Sequence, residues 1–168
     1  VLRQLEKNHS AIETTSCGRV LDAVAAVLGV CYERTYEGEP AMKLESAAIE
    51  GKDVLKLKPM IKSNTLETTQ LLYAIFENKE TCSRADLAYS AHAYLANGLV
   101  TLAIENAEEY GIKNIGFSGG AACNEILTST MRKVVESAGL KFLVHEAVPP
   151  GDGGLSFGQA VVGGFFPF

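Results

Sequence analysis

Two glycine-rich segments near the carboxyl end of the chain carry residue types that can bind a phosphate. In FSGGAACNE (117–125), Gly119 and Gly120 follow a short apolar run, and Asn124 opens a helical pattern. Glycines let the backbone approach a bulky group, and free amides at a helix start favour phosphate oxygens. The same glycines also suit a tight strand-to-helix turn that needs only a positive φ. The segment alone leaves both interpretations open.

The second segment, VPPGDGGLSFGQA (148–160), places one carboxylate, Asp152, among prolines and glycines. Aspartate is a good helix N-cap, and a helical pattern begins near Gly153. A carboxylate is also a preferred ligand of divalent cations, which can bridge to phosphate oxygens. The local sequence favours neither role for Asp152.

Histidines and cysteines have plainer interpretations. The 3 histidines form no H-x-x-x-H pair, so a metal held by Asp152 would need ligands from elsewhere. His92 falls within an apolar helical pattern, which favours packing over catalysis. Cys123, at a helix start, fits a small buried residue better than a reactive thiol.

Two acidic residues lie on the first predicted helices. Asp22 interrupts an apolar face three residues after Arg19, a spacing typical of an intrahelical ion pair. Glu45 fits an exposed helix position. Taken by themselves, neither residue indicates a binding site.

Apolar periodicity predicts four helices in the first two thirds of the chain. Gly29 marks a helix end and Pro40 a helix start. Ser83, with Asp86 three residues later, resembles a capping box before the longest helix. The predicted helices cover residues 17–28, 40–51, 66–78 and 84–109. Residues 53–62 alternate charged and apolar positions and are interpreted as a strand.

The pattern changes after Gly111. NIGFS (114–118) and KFLVHE (141–146) have strand length, and each precedes a glycine turn and a helix, over about 123–138 and 154–164. This repeated order is typical of a parallel sheet in an α/β fold. Because such crossovers are right-handed, we expect both turns at the same carboxyl edge, where ligands bind.

Composition limits the kind of protein. A chain of 168 residues with 47% hydrophobic and 21% charged residues can bury the core of one domain. A net charge of -5 and a pI near 5.2 argue against binding nucleic acid through its phosphates. The apolar runs are shorter than a bilayer span, so no membrane helix is expected. The 4 widely spaced cysteines indicate reduced thiols in a cytoplasmic protein.

The chain resembles one known family in five segments that occur in order. They are TSCGRVLDAVAAVLG, TYEGEPAMKLE, ADLAYSAHAYLA, FSGGAACNEIL and VPPGDGGLSFGQA. Together they are similar to the carboxyl-terminal transferase domain of the HypF family, the hydrogenase-maturation carbamoyltransferases. The resemblance implies an α/β, ribonuclease H-like lobe of the actin, sugar-kinase and Hsp70 fold, with a mixed sheet and flanking helices.

Only the second lobe of that domain is expected in these residues. The resemblance places several family parts outside them: the first lobe with its histidine metal ligands, and the acylphosphatase-like, zinc-finger and carbamoyl-adenylate-forming domains. A missing first lobe is therefore an implied partner, in the same full-length chain or in a separate subunit.

The resemblance also implies a reaction. The family makes carbamoyl-adenylate from carbamoyl phosphate and ATP, and the transferase domain passes the carbamoyl group to the carboxyl-terminal cysteine of HypE. By this resemblance Asp152 is the ligand of a divalent metal. The residues implied in the nucleotide site are Ser118, Gly119, Gly120 and Asn124 at the phosphates, and Asp22 and Glu45 at the ribose or adenine.

Two other interpretations stay open. A threonylcarbamoyl-transferase-like or sugar-kinase-like lobe would share the Gly-Gly nucleotide turn, although the CGR and PPGDGG segments favour HypF. A non-catalytic interaction module would keep the fold and bind a partner without carrying out the reaction.

Overall fold

The computed structural model describes residues 2–7 and 14–165. The helices are α1 (Leu2–Glu6), α2 (Cys17–Val27), α3 (Glu39–Ala48), α4 (Thr69–Asn78), α5 (Arg84–Glu109), α6 (Glu125–Ser137) and α7 (Leu155–Phe165). The strands are β1 (Ile61–Lys62), β2 (Thr65–Leu66), β3 (Asn114–Gly116) and β4 (Lys141–Leu143). Two 3-10 turns, Gly120–Cys123 and Asp152–Gly154, precede α6 and α7.

Helix α5 is the centre of the fold. Its start has the predicted capping box, because the Ser83 Oγ accepts the backbone N–H of Asp86 at 3.1 Å and donates to the Asp86 carboxylate at 2.7 Å. Among the described helices, α5 is the one long and apolar enough to cross a membrane, but 61% of its most apolar stretch is buried in the fold. Its apolar side chains therefore form the core.

Helices α2, α3, α4 and α6 pack against α5, and α6 makes the most extensive contact. Burying one leucine side chain stabilises a fold by about 1.5–3 kcal/mol relative to leaving it exposed. The fully buried side chains contributed by the surrounding helices include Leu21, Leu44, Leu71, Ile75 and Leu127. The end of α3 approaches α5 so closely that a Cβ on Gly51 would collide with the Ala85 carbonyl oxygen.

The predicted strand over residues 53–62 is wrong for most of its length. Residues 51–60 contain no strand, and only β1 follows them, paired antiparallel with β2. Their backbone N–H groups are accepted by side chains spaced four residues apart on α5: Lys52 by Asp86 at 2.9 Å, Val54 by Ser90 at 3.0 Å and Met60 by Tyr94 at 3.2 Å. Side chains of α5 therefore accept hydrogen bonds from backbone N–H groups that would otherwise pair with a neighbouring strand.

Strands β3 and β4 pair in parallel, as predicted, with Gly116 opposite Leu143. Helix α6 connects them and packs on α5 and β4. The α/β class is confirmed, but the expected mixed sheet is not present in the described part of the chain. The antiparallel pair β1–β2 and the parallel pair β3–β4 are separate two-stranded sheets. The segment before β1 is hydrogen-bonded to α5 and does not extend β1 into a longer strand.

The other helix predictions are confirmed with shifts at their ends. Helix α2 ends just before Gly29, whose φ of 66° is left-handed. Helix α4 begins at Thr69 rather than at residue 66, because Thr65–Leu66 pairs as β2. The helix predicted from residue 123 begins at Glu125, after the 3-10 turn.

Candidate functional site

The two glycine turns meet at the carboxyl edge of the parallel strands, as predicted. The Gly119 backbone N–H donates to the Pro150 carbonyl oxygen at 2.8 Å. A Cβ built on Gly151 would lie 3.8 Å from the Gly120 Cα, which is ordinary van der Waals contact. The segments FSGGAACN and VPPGDGG therefore form one continuous surface.

The Gly119–Gly120 turn leaves backbone donors free. Gly119 has a φ of 96°, a conformation that residues with a side chain rarely adopt. In the described structure the N–H groups of Gly120 and Ala121 have no acceptor, and a Cβ on Gly120 would meet nothing within 4 Å. Two neighbouring free amides beside open space form a suitable place for an anion.

The start of helix α6 is not free, contrary to the expectation that its amides hold a phosphate. Glu45 Oε1 on α3 accepts the Glu125 N–H at 2.6 Å, and Asn124 Oδ1 accepts the Leu127 N–H at 3.0 Å. Both oxygens complement the positive end of the helix dipole. Two of the first amides of α6 are therefore already bonded, and Glu45 acts as a cap from another helix.

Asn124 also forms a buried pair with His92. The Asn124 Nδ2 donates to His92 Nε2 at 3.0 Å, and His92 Nδ1 donates to the Ala88 carbonyl oxygen at 2.8 Å. These partners assign a neutral imidazole with its proton on Nδ1. Burial lowers the pKa of His92. His92 is a packing residue, as predicted, and the Asn124 side chain lies in the core rather than toward a phosphate.

Asp152 does not act as a helix cap. The N-cap position belongs to Gly151 and has no side-chain cap bond, while the carboxylate of Asp152 is exposed and bonded to none of the described residues. A Cβ on Gly154 would collide with the Pro149 carbonyl oxygen, so glycine is required where the turn folds back on itself. This turn presents a free carboxylate, the group that a divalent cation prefers.

Asp152 alone does not form a metal site. Within residues 2–7 and 14–165, no three His, Cys, Asp or Glu side chains are grouped to hold a metal ion. A site that holds a metal ion such as zinc through protein side chains uses three or four of them. The geometry fits one ligand of a shared site, not a complete one.

Asp22 has one paired and one unpaired carboxylate oxygen. Its Oδ2 lies 3.0 Å from Arg19 Nη1, the predicted ion pair. Its Oδ1 is buried and has no hydrogen-bond partner among the residues described. A buried acceptor without a donor costs about 1–3 kcal/mol. Because α2 contacts the 3-10 turn Gly120–Cys123, this oxygen belongs to a helix that borders the candidate site.

The same edge holds a pair of side chains that the sequence analysis did not identify. Ser118 Oγ lies 2.8 Å from His145 Nε2 and 3.4 Å from the Pro150 carbonyl oxygen. Each residue follows the end of its strand by two positions, and those ends, Gly116 and Leu143, are paired. Extending the parallel register by two residues would have predicted that Ser118 and His145 are neighbours.

A groove of about 510 Å³ opens beside this pair. The prolines of the second turn and helix α7, through Leu155 and Val162, form its other walls. The groove therefore has a polar end at Ser118 and His145 and an apolar wall along α7.

The cysteines are free, as predicted, but one of them is placed differently. Cys123 is exposed rather than buried, because the 3-10 turn puts the neighbouring Asn124 on the inner face. Cys17, by contrast, is half-buried, and burial raises the pKa of its thiol to about 11. Cys17 is therefore protonated at neutral pH.

One family accounts for nearly all of the chain. Residues 1–159 match the carbamoyltransferase, Kae1-like domain, second subdomain. The chain belongs to this carbamoyltransferase family. The two turns and the helices around them therefore lie in the second subdomain of a Kae1-like domain, as the resemblance implied. The assignment to a ribonuclease H-like lobe remains a prediction.

Relatives in this carbamoyltransferase family are much longer than the chain. The probable carbamoyltransferase HypF of Methanocaldococcus jannaschii is 44% identical over 161 residues, which are 94% of this chain and 21% of that protein. The crystal structure of T. kodakarensis HypF has a TM-score of 0.89 at 48% identity, covering 99% of this chain and 22% of that one. The chain thus spans about a fifth of their length.

A second solved structure is full-length HypF in a phosphate- and nucleotide-bound form. It superposes with a TM-score of 0.86 at 29% identity, covering 96% of this chain and 22% of that one. A protein with this fold and with similar sequence therefore binds both ligands.

Proposed function

We propose that this chain takes part in transferring a carbamoyl group from carbamoyl-adenylate to a thiol. The donor would be made from carbamoyl phosphate and ATP, and the acceptor would be the carboxyl-terminal cysteine of a HypE-type protein. The observation that carries the proposal is the Gly119–Pro150 hydrogen bond. This bond joins the two turns, so the free N–H groups of Gly120 and Ala121 and the free carboxylate of Asp152 lie at one edge of the parallel strands.

The nucleotide would lie on the Gly119–Gly120 turn. The N–H groups of Gly120 and Ala121 would donate to phosphate oxygens. Negative charge grows on the AMP phosphate as it leaves, so these bonds would strengthen in the transition state. The unpaired oxygen of Asp22 would accept a hydrogen bond from a ribose hydroxyl or the adenine amino group, which would satisfy a buried acceptor.

Asp152 would be one ligand of a divalent cation shared with residues outside this chain. The resemblance implies histidines of the first lobe as the other ligands. When bound there, the cation would neutralise phosphate charge. The Asp152 carboxylate supports this role because it is exposed and does not cap a helix. The described residues contain no group of three potential metal ligands, which is consistent with a shared site.

Helix α7 provides the surface that we assign to the first subdomain. It has no buried residue, and Phe157, Val162 and Phe165 are 57%, 56% and 77% exposed. Soluble proteins rarely leave a contiguous apolar patch of this kind uncovered. The T. kodakarensis structure matches 99% of the chain, a share that includes α7, and contains much additional protein. Packing of the first subdomain on α7 would close the groove into a cleft.

A chimera tests the proposed function. This chain would replace the matching segment of T. kodakarensis HypF, to which it is 48% identical. The chimera should carbamoylate the thiol of a HypE-type acceptor, as measured by mass spectrometry. Asp152→Ala should abolish that transfer and leave carbamoyl-phosphate-dependent ATP–pyrophosphate exchange intact, because the adenylate forms in another domain.

The matched control is Glu108→Ala, which removes an exposed carboxylate at the end of α5, before β3 begins, whereas the turns follow the ends of β3 and β4. This variant should transfer the carbamoyl group at the parental rate. Loss of both transfer and exchange in Asp152→Ala would assign Asp152 a structural role. A folded chimera that forms the adenylate but never carbamoylates the acceptor would contradict the proposed function.

A further inference from the structure

Ser118 and His145 are placed where two hollows of the surface meet. The groove along α7 and a second hollow of about 350 Å³, bounded by Phe117 and Val144, both include this pair in their lining. In the described structure, His145 is the one ionisable side chain that lines either hollow. A substrate that enters from either side therefore meets this imidazole first among proton-accepting groups.

The hydrogen bonds of the pair leave it able to move a proton. A hydroxyl carries one proton, and the 2.8 Å contact to His145 Nε2 is much shorter than the 3.4 Å contact to the Pro150 carbonyl oxygen. With a neutral imidazole, Ser118 thus donates to His145 and keeps oxygen lone pairs free for another donor. His145 Nδ1 has no partner among the described residues.

Comparison with His92 shows why this pair does not serve packing. His92 is buried and both of its ring nitrogens are bonded, to Ala88 and Asn124. His145 is exposed, and its only described partner is a hydroxyl group that is also exposed. Surface hydrogen bonds of this kind add little to stability, so the geometry favours a chemical role.

We propose that Ser118 and His145 form a proton relay that activates the acceptor thiol. This inference rests on the proposed function, because it assigns the proton acceptor of that reaction. The nucleophile in acyl transfer to sulfur is the thiolate, which an adjacent base must generate at neutral pH. Imidazole is the side chain best suited to accept a proton in that range.

The step balances in atoms and charge. The acceptor S–H proton passes to Ser118 Oγ while the hydroxyl proton passes to His145 Nε2. The sulfur electron pair forms a bond to the carbamoyl carbon, and the bond from that carbon to the phosphate oxygen breaks. Its electron pair leaves on AMP. The imidazolium then releases its proton to solvent, and the products are the thiocarbamate and AMP.

The test uses the same chimera with His145→Gln and Ser118→Ala. Single-turnover transfer to a HypE-type acceptor should slow by about 10²–10⁴-fold in His145→Gln, the usual contribution of general base catalysis. Ser118→Ala should also slow the transfer. The transfer rate should also depend differently on pH in the parent and in His145→Gln, because the variant lacks the imidazole and relies on hydroxide to form the thiolate.

AMP affinity and thermal stability of His145→Gln should equal those of the parent. Lost AMP affinity with an unchanged pH profile would overturn the relay and make His145 a phosphate contact. An unchanged transfer rate in His145→Gln would also overturn it. Failure of the parental chimera to transfer at all concerns the proposed function instead, so the two outcomes are distinguishable.

Discussion

The helical core and the carboxyl-terminal edge treat their polar groups in opposite ways. In the core, both ring nitrogens of His92 and both polar atoms of the Asn124 side-chain amide have hydrogen-bond partners. At the edge, the amides of Gly120 and Ala121 and the carboxylate of Asp152 have none in the described structure. Most buried polar groups are bonded internally, with Asp22 Oδ1 as the exception among the described residues, whereas groups at an edge can await a ligand. The contrast locates the part of the chain that needs a partner.

The two regions also differ in how they use apolar helices. Helix α5 buries twelve residues, while α7, although rich in apolar side chains, buries none. Both helices are rich in apolar side chains, but α5 packs against α2, α3, α4 and α6. The described residues do not bury the apolar side chains of α7.

Removal of a core side chain should have the largest effect on stability. Leu87 is fully buried in α5, so Leu87→Ala should lower the free energy of unfolding by about 2–5 kcal/mol through lost burial and a cavity. Val162→Ala on α7 should change it by less than about 0.5 kcal/mol. Urea denaturation of the 168-residue chain measures both. Equal losses would mean that α7 packs on the core and that the contrast is wrong.

Two glycine substitutions apply one chemical change to both regions. Gly51→Ala should cost about 1–3 kcal/mol of unfolding free energy, because the new Cβ collides with the Ala85 carbonyl oxygen inside the packed helices. Gly154→Ala collides with the Pro149 carbonyl oxygen at the edge. Gly154→Ala should leave the free energy of unfolding near that of the parent. It should weaken AMP binding, which we expect to be modest for this chain alone and which calorimetry with a divalent cation measures. Parental AMP affinity in Gly154→Ala would separate this turn from the nucleotide site.

The smallest effect is a pH dependence of the core. Because burial lowers the pKa of His92, the unfolded chain binds a proton near pH 6.5 that the folded chain does not yet bind. Stability from neutral His92 is therefore present above that pH and falls below it, by at most about 1.4 kcal/mol per pH unit. Denaturation at a series of pH values measures this slope. His92→Gln should flatten it, and an unchanged slope would assign it to other groups.

Local signals in the sequence predicted most of the elements. The Ser83–Asp86 capping box, the left-handed Gly29 and the strand–turn–helix order after Gly111 each depend on residues close in the chain. The meeting of the two turns also followed, because parallel crossovers have a fixed hand.

Two of the errors share one physical cause, which is hydrogen bonding between distant residues. Residues 53–62 were predicted as a strand because their pattern alternates, but side chains of α5 accept the N–H groups of Val54 and Met60. The amides of α6 were predicted to be free, but Glu45 caps Glu125 from 80 residues away. Neither partner can be identified from a local pattern.

The sequence by itself determined the helices, the parallel pair and the two glycine turns, since capping, apolar periodicity and backbone freedom act over a few residues. Tertiary structure alone decided which polar groups remain available. Packing committed Glu45 to capping and the Asn124 side chain to a contact with His92. It also brought Ser118 to His145 through strand register and left Asp152 without a partner in the described chain. These outcomes depend on distances between elements, and those distances are fixed only when the core is packed.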